Sequence, residues 1–198
     1  MIQRPIVFVA FIASLFSAPT LAEKTFSNGY YKISYPDDWK YQKIDQPNGS
    51  SLDGFMAPDF KKTIAYCHAS QSKINSELTP KIAGLNAVKM RDFVVQADPK
   101  ELFFSIYSNL PQSQGFRLIH INPTLVDTSF PALMADFVFR VPDGFSYRAR
   151  SHLIFWNKAI ISIWCQTTAR NSSDADDSFQ RHLPDFMKFI SKVKIQNK

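Results

Sequence analysis

The sequence predicts an α+β domain: an antiparallel sheet with helices packed on one face. Three observations carry this. Short runs of alternating apolar and polar residues, separated by turn signals, fill the stretch from Gly29 to His68. Longer runs of the same kind follow from Gly115 to Thr168. Apolar residues at helical spacing occupy 78–110 and again 173–190. Consecutive strands joined by short turns pair antiparallel, and helices gathered into blocks lie together against a sheet.

The elements follow in order. Tyr31, Ile33 and Tyr35 alternate with Lys32 and Ser34, which is the pattern of a half-buried strand. Pro36-Asp37-Asp38 ends it, and Trp39 is placed to bury its ring beneath that turn. Asn48-Gly49-Ser50-Ser51 marks the next turn, and strands are expected over Leu52–Ala57 and Thr63–His68, with a polar break at Asp59–Lys61 between them. From Leu78 to Ala97 the residues Ile82, Leu85, Val88 and Met90 recur at helical spacing. Asp98-Pro99-Lys100-Glu101 is a helix start: Asp98 caps, Pro99 takes the first position, and Glu101 can reach back to the cap amide. Leu102, Phe103, Ile106 and Leu110 continue that helix as a stripe until Asn109–Pro111.

Strands are then expected over Gly115–Ile121, Ala132–Val141 and Phe145–Trp156, with Pro142-Asp143-Gly144 as a turn. Asn157-Lys158 reads as a hairpin connection to a strand over Ala159–Thr168. In that strand Ile161, Ile163 and Cys165 share the core face, with Ser162, Trp164 and Gln166 opposite. Residues 171–176 form a cap region in which Ser173 and Asp176 resemble a capping box. Phe179, Leu183, Phe186 and Ile190 make the following helical stripe, and Pro184 inside it is expected to bend or divide the helix. Ser191–Ile195 closes the chain as a short edge strand.

The first residues bear on compartment. Arg4 precedes an apolar run over Pro5–Phe16, and Thr20 and Ala22 are small residues at the positions a leader peptidase accepts. The run is shorter than the ~20 residues that span a bilayer. Residues 1–22 are therefore expected to be a signal peptide and 23–198 a single domain, with no lipid anchor because no cysteine lies near the cut. A buried N-terminal helix or strand is the alternative. The net charge of +6 is spread along the chain rather than gathered in a tract, which argues against nucleic acid as a partner. Two cysteines, Cys67 and Cys165, lie in apolar strand-like stretches. An oxidising compartment permits a disulfide between them. Two unpaired core thiols are the alternative.

The segment Tyr31-Lys32-Ile33-Ser34-Tyr35-Pro36-Asp37-Asp38-Trp39, followed by a middle helix, a run of antiparallel strands and a last helix ending Phe186-Met187-Lys188-Phe189-Ile190-Ser191, resembles the PsbP/Mog1/DcrB-like family. The resemblance implies that fold. Members of the family are mostly non-enzymatic accessory and envelope proteins, so it implies no catalytic residue, cofactor or metal here.

The residues themselves point to no specific chemistry. His68, His120, His152 and His182 lack the spacing of a metal site. Neither a Gly-x-Ser-x-Gly turn nor a glycine-rich phosphate loop is present. Asp127, Asp136 and Asp143 read as turn or surface carboxylates. The aromatic cluster Tyr30, Tyr31, Tyr35, Trp39 and Tyr41 supplies core and a candidate binding patch, assigned to Tyr30, Tyr31 and Tyr41. The expected function is that of an exported, periplasmic or secreted binding or accessory protein without catalysis, whose partner is another protein or an envelope component. An extracytoplasmic enzyme, such as a hydrolase, is the alternative.

Overall fold

The computed structural model describes residues 22–45, 51–58, 64–73, 85–107, 113–156 and 159–196. The leader expected over residues 1–22 lies outside them apart from Ala22, as do the turn residues 48–50, the break at 59–61, the helical stretch 78–84, the helix end at 109–111 and the connection 157–158.

The first five strands are β1 (Glu23–Ser27), β2 (Tyr31–Pro36), β3 (Lys40–Asp45), β4 (Ser51–Met56) and β5 (Ile64–Lys73). Helices α1 (Ala87–Gln96) and α2 (Pro99–Ile106) follow. Strands β6 (Gln114–Val126), β7 (Phe130–Arg140), β8 (Ser146–Trp156) and β9 (Ala159–Ala169) come next, then α3 (Ser172–Ser191) and β10 (Val193–Ile195). The strands form two sheets, a three-stranded one in the order β1-β2-β10 and a seven-stranded one in the order β3-β4-β5-β9-β8-β7-β6. Every pairing is antiparallel.

Alternation in β2 sends Tyr31, Ile33 and Tyr35 into the core, as the sequence predicts. Trp39 is buried and stacks on Phe189 of α3 at 5.8 Å, with Phe186 edge-on at 6.4 Å. The turn after β2 is thereby tied to the last helix. Gly54 in β4 is a close-approach position, since a Cβ there would sit 2.7 Å from Ile44 Cδ1. Gly144, at φ +86°, makes the β7–β8 turn that the Pro-Asp-Gly signal predicts.

The α+β class and the antiparallel sheet are as expected, but the helices lie on both faces rather than one. Ile161, Ile163 and Cys165 of β9 pack with Phe179, Phe186, Phe189 and Ile190 of α3. Their alternates Ile160 and Trp164 pack with Met90 and Val94 of α1 and Leu102 and Phe103 of α2. All of β9 is buried, which is why its second face carries a tryptophan and an isoleucine rather than charges. The short C-terminal edge strand expected within Ser191–Ile195 is present as β10, at the edge of the three-stranded sheet. It pairs with β2, outside the main sheet.

Several boundaries differ for identifiable reasons. Strand β6 runs five residues past Ile121, through Pro123. It is an edge strand, so the missing proline N–H faces no neighbour. Helix α1 buries Met90 and Val94, and Leu85 before it packs on the same cluster as expected, whereas Val88 is 68% exposed. Asn171, not Ser173, caps α3: its Oδ1 accepts from Asp174 N at 2.7 Å, and its Nδ2 donates to Asp174 Oδ2 at 2.8 Å. Pro184 does not divide α3. It lies on the exposed side, where water can serve the carbonyl it leaves unpaired, and the buried stripe holds the helix together.

Candidate functional site

Charged residues in otherwise apolar strands build the most distinctive local structure. Asp136 in β7 and Arg148 and Arg150 in β8 face the same side of the sheet, toward α3. Asp136 is 6% exposed and accepts from Arg150 Nε and Nη2, both at 2.7 Å. Those hydrogen bonds hold the Arg150 guanidinium above even its usual range, against the opposing effect of burial. Arg148 is also buried. Its Nε donates to Asp176 Oδ1 of α3 at 3.0 Å, its Nη1 to Ala149 O at 3.1 Å, and its Cζ lies 4.5 Å from the Phe179 ring centre. Asp136 is therefore not the surface carboxylate its sequence context implies. It is the anchor of a buried ion network that joins β7, β8 and α3. Such a pair is costly to break once desolvated.

Above this network lies an open groove of about 770 Å³ between the β6–β8 ends and the first turns of α3. Arg117, Ile119, Val138, Arg140 and Arg148 line its sheet side, and Asp176 and Gln180 its helix side. Arg117 and Arg140 are exposed, and among the described residues neither takes part in an ion pair. Arg140 Nε approaches Ser146 Oγ at 3.4 Å. The groove thus offers two guanidinium forks that take part in no ion pair among the described residues, over a floor whose charges are already matched. Such forks suit carboxylate and phosphate oxygens.

A second hollow of about 250 Å³ lies beside Trp39, lined also by Asp38, Arg181, His182 and Asp185. His182 Nδ1 is 3.9 Å from Asp185 Oδ2, an ion-pair distance longer than a hydrogen bond. Burial, ahead of its charged neighbours, lowers the His182 pKa. The other histidines are dispersed. His68 and His152 lie on opposite faces of the main sheet, and burial lowers each to about 4. Their Nδ1 atoms have no hydrogen-bond partner among the described residues. His120 is exposed and lies against Asn122. Asp127 and Asp143 sit in turns. Among the described residues no group of three or more His, Cys, Asp or Glu is placed to hold a metal.

The aromatic patch named from sequence divides. Tyr30 and Tyr41 are 46% and 40% exposed, but Tyr31 is fully buried and belongs to the core. The Tyr31 and Tyr41 hydroxyls both donate to Asp53, at 2.7 and 3.0 Å. Burial first and Asp53 second raise the Tyr31 pKa. Cys67 and Cys165 face one another across β5 and β9, with Cα atoms 3.9 Å apart, and form a disulfide. The arginine groove was not singled out from sequence. Its signal was there: Arg148 and Arg150 two apart in a strand, and Asp136 inside an apolar run, are charges on a face that must be matched internally.

No protein-family model matches the chain, and no curated protein matches it by sequence. Solved structures do match. PsbP from the cyanobacterium Synechocystis superposes with a TM-score of 0.54 at 13% identity, over 93% of this chain and 98% of that one. PA94 of Pseudomonas aeruginosa, a protein of unknown function, gives 0.51 at 12% identity over 89% and 99%. The Ran-binding protein Mog1p of Saccharomyces cerevisiae gives 0.51 at 7% identity over 89% and 96%. Identities this low establish the backbone alone, and on that basis the chain has a PsbP/Mog1-like fold.

Proposed function

We propose that this chain is an exported, non-catalytic binding or accessory protein that acts outside the cytoplasm on another protein or envelope component. The observation that carries the reading is an open groove lined by arginines, with the Tyr147 hydroxyl, its pKa raised by burial, at its edge and the most strongly shifted histidines elsewhere. The histidines displaced furthest from their ordinary pKa, His68 and His152, belong to the two faces of the sheet, whereas the groove is lined by arginines. A catalytic cleft gathers perturbed acids and bases in one hollow. A recognition groove gathers fixed charge and apolar surface. Two further features support export: the Arg4 to Ala22 leader pattern and the Cys67–Cys165 disulfide. That Mog1p, a Ran-binding protein, shares the fold favours a protein partner.

The test combines fractionation with crosslinking. The full chain is produced with a photoreactive residue in place of Gln180, at the groove rim, or of Tyr30, in the aromatic patch. The reading expects the chain in the extracytoplasmic fraction and a discrete crosslinked species from at least one position. A chain retained in the cytoplasm contradicts export. An exported chain that crosslinks to nothing at either position contradicts the binding role.

A further inference from the structure

We propose that the groove beside α3 recognises an acidic, extended peptide segment of a protein partner, with Arg117 and Arg140 as the reading residues. This rests on the binding-protein reading above and specifies the chemistry of the site.

The case begins with which charges are spent. Arg148 and Arg150 are committed to Asp136 and Asp176, so they hold α3 on the sheet and have little to offer a ligand. Arg117 and Arg140 are not so committed. They stand on adjacent strands: Arg117 lies opposite Val138, and Arg140 is two residues further along β7. In a regular ladder such a diagonal pair stands about 7–8 Å apart, and here it borders the register shift between Gln114 and Arg117. Carboxylates at positions i and i+2 of an extended chain, which rises about 3.3 Å per residue, lie about 7 Å apart on one side. The two forks therefore match an Asp/Glu-x-Asp/Glu spacing. Ile119 and Val138 supply apolar surface beside Arg117, and Gln180 on α3 lines the helix side of the groove. At about 770 Å³ the space has room for several peptide residues, far more than one small oxyanion needs. The chain's positive net charge, +6 with Arg4 of the expected leader included, draws an acidic partner toward it as a whole.

The probe is a fluorescein-labelled peptide of alternating Glu and Ser, titrated with residues 23–198 and followed by anisotropy, beside the same peptide with Gln for Glu. The Glu peptide should bind at least about tenfold more tightly than the Gln peptide, as charge-assisted bonds to arginine require. R117Q/R140Q should lose at least about tenfold in affinity and flatten the salt dependence. R117K/R140K, which keeps charge but not the planar fork, should fall between them. K89Q, on α1 against the opposite face of the sheet, should match the parent chain. Thermal melts of each variant confirm that the exposed substitutions leave the fold intact. Equal binding of the two peptides, or unchanged affinity in R117Q/R140Q, overturns the proposal. Displacement of the peptide by equimolar inorganic phosphate overturns it in favour of a small-oxyanion site. Tighter binding to anionic phosphatidylglycerol vesicles, lost in R117Q/R140Q, overturns it in favour of a membrane surface. If the Glu peptide does not bind while crosslinks to a partner persist, the binding-protein reading stands and the groove assignment falls.

Discussion

Cys67 and Cys165 are the residues at which sequence and structure bear on each other most closely. Both sit on the core face of adjacent strands, and their bond closes a separation of 98 residues. Constraining the unfolded chain over such a loop stabilises the fold by roughly 2–5 kcal/mol. The double variant C67A/C165A should lose that much in denaturant unfolding and keep peptide binding at the groove, which is built from other strands. Trp39 is the second residue whose role the sequence made legible. A large ring after a Pro-Asp-Asp turn has to be buried somewhere, and here it stacks on Phe189. W39A should cost about 3–5 kcal/mol by the same measurement. Tyr31 shows where such reading stops. Its alternation predicts burial and its neighbours predict a patch, and only the three-dimensional path of β3 and β4 decides for burial.

At the scale of elements, local signals were legible where the chain itself supplies the partner. Asp98 caps α2 through bonds to Lys100 N and Glu101 N at 2.8 and 3.0 Å, as its spacing to Pro99 and Glu101 predicts. The α3 cap was displaced by two residues because Asn, Ser and Asp in 171–176 all qualify, and the sequence does not rank them. N171A should destabilise by about 1 kcal/mol, whereas S173A should be near neutral. Elements held by distant partners were less legible. The length of β6 depends on its being an edge strand, and the tie of α3 to the sheet runs through Arg148, which pairs with Asp176 of the helix and lies 3.9 Å from Asp136 of β7. Removing the Asp136 carboxylate in D136A leaves the half-buried Arg150 without its carboxylate and the buried Arg148 with Asp176 alone, and a loss of up to about 3–5 kcal/mol is expected. A loss below about 1 kcal/mol, read from urea melts, would show that the network is dispensable.

Across the whole molecule, two helical layers on opposite faces of one sheet explain both the burial of β9 and the behaviour expected in acid. Which face a helix takes is set by crossovers that leave no local trace, so the one-sided arrangement read from sequence was a reasonable but incomplete inference. Enclosure has a titration consequence. His152 is 4% exposed, and burial lowers its pKa from 6.5 to about 4, with Arg150 adding to the effect and Asp136 opposing it. His68 is half-buried with its Nδ1 enclosed, and moves in the same direction. A lowered folded-state pKa means the unfolded chain takes the proton first. The stabilisation is complete above about pH 6.5 and is lost as pH falls toward 4. Stability should therefore decline over that window by up to a few kcal/mol, and H152L should make the decline shallower. A parent chain whose melting temperature is flat from pH 7 to 4 would contradict this.

The central claim is that the chain leaves the cytoplasm and folds around an oxidised cysteine pair. Intact-mass analysis of the protein isolated from the producing cell, with free thiols alkylated beforehand, tests both halves at once. The account predicts a chain beginning at Glu23 or within a few residues of it, unalkylated, and lighter than the dithiol by the two thiol hydrogens. A chain that still carries Met1 and takes up label at both Cys67 and Cys165 would contradict it.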